Sequence, residues 1–446
     1  MRLALLALVA AIMCNSAHAL ADSSPSDPTV AQQQKKIDAL TQQIEQMKQE
    51  KAALENKLKQ AQAKPPAPTP TPAPPLSSPS VTGPLTMASP NAIDLGNLGI
   101  PGLSEMPPAI QNLLKFDLNA VVSGIGIVQS HAVTGDRTDR ADASNAQVIL
   151  QKPDGPIQFY LQVGAYSVPD LGLPYTSSGN AVNNLWGPLP AAYIKLAPTD
   201  SFSIMAGNLP TLIGAEYTFT FENVNIERGL LWNQENAINR GVQLNYSLGP
   251  LSASLSWNNG FYSNSYTWLT GSLTYTFNAA NSVTAVGGQN LGFDAHSSFA
   301  APVLLNNSGI YNLIYTYNAS PWIIQPYFQW SYVPHNSDIG VFKATSTLGG
   351  AILASYQLAE HLFLAGRAEY IASTGDTTDG SANLMYGAGS NAFSLTFTPT
   401  YQYKQFFVRP EVSYVHAESY TSGDVFGSDG RSPSQVRGVL EFGLLL

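Results

Sequence analysis

The side chains able to do chemistry gather in two groups. Between Pro210 and Asn239 lie four carboxylates, Glu216, Glu222, Glu227 and Glu235, around one guanidinium, Arg228, with the amides of Asn223 and Asn225 among them. Further along, arginine and glutamate recur two or four residues apart: Arg367 with Glu369, Arg409 with Glu411, Arg437 with Glu441. An even spacing puts both members on one face of an extended strand. Such groups hold and orient charge, but they contain no nucleophile beside a base. The histidines His131, His296, His335, His361 and His416 are dispersed, with no His-x-x-x-His or His-Glu-x-x-His setting. No Gly-x-Ser-x-Gly elbow, phosphate loop or ordered calcium loop is present. No metal or cofactor is expected, and the chain is not expected to be an enzyme. The one enzymatic alternative is an esterase of scattered Ser, His and Asn, which spacing does not reveal.

The elements that must position these charges run from about Phe116 to Leu446. Here segments of roughly ten residues alternate apolar and polar side chains. Val436, Gly438, Leu440, Phe442, Leu444 and Leu446 share one parity, with Gln435, Arg437, Glu441 and Gly443 on the other. Ile157, Phe159, Leu161 and Val163 likewise oppose Gln158, Tyr160 and Gln162. Seven short connections (at Pro153–Gly155, Pro198–Asp200, Gly249-Pro250, Asn278–Asn281, Ala319–Pro321, Ala359–His361 and Lys404) alternate with eight long ones near 130–145, 168–187, 210–238, 258–265, 292–306, 334–343, 374–388 and 418–434. Fifteen connections join sixteen strands. The expected fold is all-β: a 16-stranded antiparallel transmembrane β-barrel over 116–446, apolar face to lipid and polar face to water, short turns periplasmic. Only 11% of residues are charged, against roughly 25% in soluble domains. No apolar run long enough for a helical span follows the N-terminus. A soluble β-sandwich alternates too, but sixteen strands in one run and the aromatics near strand ends (Tyr246, Trp257, Trp330, Tyr332, Tyr401, Tyr414) favour lipid.

The preceding residues read as an address and a spacer. Residues 1–21 form a signal peptide: Arg2, an apolar Leu3–Met13, and small-x-small sites at Ala17–Ala21. The sole cysteine, Cys14, lies inside it, so the mature chain is expected to lack cysteine and thiolate chemistry. Residues 22–64 are assigned to a periplasmic coiled coil. Val30, Ile37, Ile44, Lys51 and Leu58 fall at a, and Gln33, Leu40, Met47, Leu54 and Ala61 at d. A solvated single helix is the alternative. Residues 65–115 are a Pro-rich linker and entry segment, with one turn of helix expected near Ile110–Lys115. The linker's polyproline-like part spans roughly 60 Å. Entry of 84–115 into the barrel as a plug is left open.

A sixteen-stranded barrel is too wide for side chains to fill and leaves an aqueous channel. Pro210–Asn239 is too rich in Phe219, Phe221, Ile226, Leu230, Leu231 and Trp232 for a loop in water, so an inward fold that narrows the channel is expected; the alternative is an outward loop packed on its neighbours. It leaves between the fifth and sixth strands, opposite the thirteenth and fourteenth. Folded in, its constriction residues Glu216, Glu222, Asn223, Asn225, Glu227 and Arg228 would face wall residues Lys195, Arg367, Glu369, Arg409, Glu411 and Arg437 across a narrow aqueous gap, making a transverse field. The competing reading is that Arg367–Glu369 and Arg409–Glu411 merely pair within the wall. From residue 84 on, 13 Lys and Arg stand against 24 Asp and Glu, many expected in loops (Asp136, Asp139, Asp142, Asp376, Asp379, Asp424, Asp429).

Three stretches, Gly207–Glu216, Asn223–Leu231 and Arg240–Tyr246, resemble the beta-barrel porin-2 family of outer-membrane porins. The resemblance covers about forty residues: Gly-x-Glu after a strand, an Asn-rich turn, an Arg, then a Gly-Val strand. It implies a porin-like channel, and Glu216, Asn223, Asn225 and Arg228 as constriction-loop elements. Leu446 departs from the Phe or Trp that usually ends such barrels. The coil and linker are similar to those of some trimeric sugar or phosphate porins and suggest a homotrimer. The expected function is passive diffusion of small hydrophilic solutes and ions through the bacterial outer membrane. The alternatives are a channel selective for an oligosaccharide (Tyr160, Tyr166 and Tyr193 as a slide) or an anion (Lys195, Arg367, Arg409), and a structural tether to the cell wall. Expected partners are outer-membrane lipid and lipopolysaccharide, further copies of the chain, and peptidoglycan; no nucleic acid is expected.

Overall fold

The structure is a computed structural model that describes residues 84–88, 91–95, 107, 111 and 114–446, with Lys35, Gln42, Glu45, Gln46, Lys48 and Gln49 further upstream. Those six are helical and exposed, and Lys48 Nζ donates to Glu45 Oε1 at 2.7 Å. The signal peptide, the coiled-coil seam positions and the 65–83 linker lie outside the described residues.

A short strand β1 (Asn91–Asp94) precedes the barrel strands: β2 (Lys115–Gln129), β3 (Asp139–Lys152), β4 (Ile157–Tyr166), β5 (Ala191–Thr199), β6 (Phe202–Pro210), β7 (Ile238–Leu248), β8 (Leu251–Asn258), β9 (Trp268–Asn278), β10 (Asn281–Asn290), β11 (Gly309–Ala319), β12 (Trp322–Val333), β13 (Thr345–Ala359), β14 (Leu362–Ser373), β15 (Asn391–Tyr403), β16 (Phe406–Glu418) and β17 (Ser434–Leu445). Each of β2–β17 pairs antiparallel with its sequence neighbour, and β17 returns to β2 through Arg437↔Gln129 to Leu445↔Val121. Ala120 and Leu446 exchange both backbone hydrogen bonds, at 2.9 and 2.8 Å, so pairing extends to the last residue. Closure leaves the β2–β17 ring without an edge, which a chain in lipid requires because hydrocarbon offers no partner for a free N–H or C=O.

The parity expected from sequence is the parity observed. Leu273 is 49% and Phe442 51% exposed on the outward face, whereas Arg409 and Arg437 are fully buried on the inward one. Tyr246, Trp257, Trp330, Tyr332 and Tyr401 also stay exposed; Tyr414 is half-buried against Phe393 and His416. The tight turns follow from local backbone chemistry: Gly155 and Gly249 take positive φ of 79° and 56°, cheap only for glycine.

Two details depart from the sequence reading. Strand β3 starts at Asp139, so Asp139 and Asp142 belong to the wall and not to a loop. A register shift between Ser123 and Gly124 lets β2 and β3 pair up to Val128↔Asp139. Asp142 there accepts hydrogen bonds from Tyr175 Oη at 3.1 Å and Ser178 Oγ at 2.7 Å. The inward face is also not uniformly polar. Val286, Ile310, Ile314, Leu353, Ile371 and Val415 are buried there, packed in one cluster with Ile213, Leu230 and Leu231 of the 211–237 loop. The barrel therefore has a second apolar core, inside its ring.

At the N-terminal side, Gln111 N–H donates to Pro107 O, and Leu114 N–H to Gln111 O. Gln111 is helical, and β2 begins at Lys115; the rest of the expected Ile110–Lys115 turn lies largely outside the described residues.

Candidate functional site

The 211–237 connection leaves β6 and re-enters at β7, yet its charged wall partners lie across the ring on β14–β17. Its backbone is mostly irregular, with single turns at Thr220–Glu222 and Trp232–Gln234. A buried segment without a ladder must still satisfy its N–H and C=O groups, and the far wall does this with charge. Arg409 donates to Thr220 O at 2.9 Å, Asn223 O at 2.8 Å and Val224 O at 3.0 Å. Glu411 accepts from the N–H groups of Ile226 at 2.6 Å and Glu227 at 2.9 Å. Glu369 accepts from Leu230 N–H at 3.0 Å. Arg367 donates to Glu227 O at 2.6 Å. Alternating arginine and glutamate along the wall thus present donors and acceptors to the loop's main chain, and charge-assisted bonds of this kind are the strong ones.

Side chains add a second layer. Arg367 pairs with Glu216 at 2.6 Å and Arg437 with Glu227 at 2.5 Å. Thr220 Oγ1 donates to Glu441 at 2.6 Å, Asn225 Nδ2 to Thr398 Oγ1 at 2.7 Å, and Ser413 Oγ to Glu227 at 2.7 Å. Asn223 closes the loop on itself, donating to Tyr217 O and Phe219 O, both at 2.9 Å. Glu222 accepts from Phe219 N–H at 3.3 Å and stays half-buried.

The sequence-derived charges are therefore brought together, but not across an aqueous gap. Glu216, Glu227, Arg367, Arg409 and Arg437 are buried and in contact, because the loop's apolar residues need the inner core and pull its charges onto the wall. Pairing within the wall holds for Arg367–Glu369, at 3.1 Å. Arg409 pairs instead with Glu441 on the neighbouring strand, at 3.5 Å. Lys195 is not part of this assembly: it stands half-buried on β5 opposite Gln158 of β4. Tyr166 is likewise packed away, against Trp186 and Phe219. Tyr160 and Tyr193 stack at 5.4 Å.

Several participants carried no sequence signal beyond inward parity. Gln329 donates to Leu231 O at 2.9 Å, Asn312 accepts from Gly214 N–H at 3.1 Å, and Ser331 and Thr347 donate to Gln234. Asp170, from the preceding 167–190 connection, pairs with Arg228 at 3.3 Å, and Leu171 N–H donates to Arg228 O, layering one loop on the other. Gly229 is needed at its place: a Cβ there would lie 2.1 Å from Glu369 Oε1.

The arrangement positions fixed charge and backbone across a lumen. Among solved structures, the chain is similar to OmpT, an outer membrane protein of Vibrio cholerae (11% identity, TM-score 0.49, covering 74% of this chain and 97% of that one). It is similar to the outer membrane channel DcaP of Acinetobacter baumannii (14%, 0.47, 74% and 96%). It is also similar to OmpF of Salmonella typhi in complex with daunomycin (15%, 0.47, 74% and 97%). No curated protein sequence matches. A family profile matches residues 115–446, the whole barrel and well over half of the sequence. The chain belongs to the outer-membrane porin family described as Putative beta-barrel porin-2, OmpL-like.

Proposed function

We propose that the chain is a diffusion channel for small hydrophilic solutes and ions whose aperture is set by the 211–237 loop. The observation that carries this reading is the loop's course: it departs at β6 and is bonded to β14–β17 on the opposite side of the ring. A segment fixed at both walls divides the lumen instead of merely capping it. The space beside it is bounded on β7–β11 by partly exposed inward hydroxyls, Ser247, Ser252, Ser272, Thr274, Ser282 and Thr316. Hydroxyls replace some water contacts without binding a passing solute tightly, as a diffusion path requires.

Purified chain in planar bilayers gives stepwise ohmic conductance under this reading. Absence of conductance at any voltage, with the barrel folded, overturns it. A sugar-selective variant of the reading is favoured by the Tyr160–Tyr193 stack, a flat apolar platform on the inward face; block of ion current by oligosaccharides separates it from simple diffusion. Assembly as a homotrimer, and lipopolysaccharide as the outer lipid partner, belong to the same proposal and are tested by the mass of the detergent-solubilised particle. The cell-wall tether is tested by deleting residues 30–64, which leaves conductance unchanged and loosens the envelope if it holds.

A further inference from the structure

The inward wall carries an apolar patch where a water-filled mouth has no use for one. Val121 on β2, Phe407 on β16 and Leu445 on β17 all point inward and are fully buried. All three lie at the end of the barrel that holds the tight turns and the start of β2. Their cluster includes Phe219 and Phe221 from the crossing loop, and Leu85 and Met87 from upstream of the barrel pack against it.

The segment Pro84–Ala88 is fixed there by more than apolar contact. The Gln402 side chain, inward on β15, forms a reciprocal pair with one residue of it: Thr86 N–H donates to Gln402 Oε1 at 2.8 Å, and Gln402 Nε2 donates to Thr86 O at 2.6 Å. A side-chain amide is here acting as a strand neighbour would. Asn119, inward on β2, donates to Ala88 O at 3.2 Å and to Leu446 O at 3.3 Å. Pro84 is itself buried. Beyond the segment the chain pairs as β1 with the start of β2, Asn91↔Leu118 to Asp94↔Lys115. A backbone bonded by two inward side-chain amides, with Leu85 and Met87 packed against a cluster that holds three inward apolar side chains, is a built seat and not a casual contact.

We propose that Pro84–Ala88 is a latch: this chain's own N-terminal segment occupies a docking site inside the periplasmic mouth, beneath the crossing loop, and narrows the passage there. Because the segment continues directly into the upstream residues, tension or binding on that part of the chain withdraws the latch and widens the mouth. The widening presupposes the channel reading; the occupancy does not, and the two are tested separately.

The experiment uses the full chain with Thr86→Pro and Gln402→Ala together. The first removes the donor N–H and the second its partner, and neither touches the crossing loop. In planar bilayers the variant conducts about twofold more than the parent, with more flicker, because the mouth is one of two constrictions in series. In a Cys14→Ala background, Val121→Cys is labelled slowly by a charged maleimide in the parent and at least about tenfold faster in the variant, as expected when a buried site opens. Equal labelling rates in folded protein overturn the latch, whatever the conductance. Faster labelling with unchanged conductance overturns the narrowing role. A silent parent overturns the channel reading and leaves the labelling result decisive for the latch. Should the double variant not fold, Thr86→Pro alone provides the same two comparisons.

Discussion

Arg409 is the side chain on which docking of the crossing loop depends most, and its removal is the sharpest test of that architecture. Alanine at this position deletes three bonds to loop carbonyls, at 2.8–3.0 Å, and the contact with Glu441 at 3.5 Å. Bonds to a charged group contribute roughly 1.5–3 kcal/mol each when counted singly. The three share one guanidinium, and water entering from the lumen re-solvates part of what is exposed. A net loss of about 3 kcal/mol is therefore the working figure, within the range for breaking a buried charged partner. That corresponds to roughly a 100-fold larger undocked population of the loop, at 1.4 kcal/mol per tenfold. Hydrogen exchange of peptides spanning 219–232 reads this directly, with 202–210 of β6 as the internal control. Arg409→Ala accelerates exchange at the Ile226 and Glu227 amides, which stay bonded to Glu411 only while the loop is docked, while β6 is unchanged. Acceleration of less than about threefold refutes the account in which wall arginines hold the loop by its carbonyls.

Further outcomes follow from other contacts. Gly229→Ala forces a Cβ to within 2.1 Å of a Glu369 carboxylate already fixed by Arg367, Leu230 N–H and Ser394. The overpacking costs about 1–3 kcal/mol and shows as a lowered thermal midpoint and noisier current. The loop and the wall it docks on carry Glu216, Glu222, Glu227, Glu235, Glu369, Glu411, Glu441 and Asp170 against Arg228, Arg367, Arg409 and Arg437. Reversal potentials in a KCl gradient therefore report cation preference, and anion preference contradicts the charge assignment. In the outer connections, Lys343 Nζ beside Asp379, at 2.5 Å, holds that carboxyl below the ordinary aspartate range, with Ser381 adding a second bond. A depressed folded pKa means the contact supports the 334–344 and 374–390 connections above the ordinary aspartate pKa and is lost as pH falls through the depressed value. A carboxyl titration places Asp379 below its usual value, and Lys343→Met returns it upward.

Strand number, parity and the inward loop were legible because each rests on a rule of period two or on a count. An outward Phe442 beside an inward Glu441 has only one sensible assignment in lipid, and fifteen connections place the loop's exit half a ring from Arg367. The start of β3 was hidden because Asp139, Arg140 and Asp142 resemble a polar loop, and a register shift in β2 has no sequence signature. The contacts themselves were not legible. Glu411 and Glu369 bind backbone N–H groups, which every residue carries, so no pairing of residue types points to them. Val121, Phe407 and Leu445 break the polar parity, and their cluster with Phe219 and Phe221, against which Leu85 and Met87 pack, explains why.

The crossing loop belongs to the middle of the chain, but the groups that receive it, on β14 to β17, are the last the chain supplies. Asn312, Gln329, Ser331 and Thr347 of β11–β13 receive one part of it earlier, but its seat is incomplete until the ring is nearly closed, and β17 itself must also find β2. A barrel that lacks its final strands leaves Phe219, Ile226 and the buried Glu227 carboxylate without their full seat. The same contacts that partition the lumen in the finished protein make an unfinished one sticky and easy to recognise.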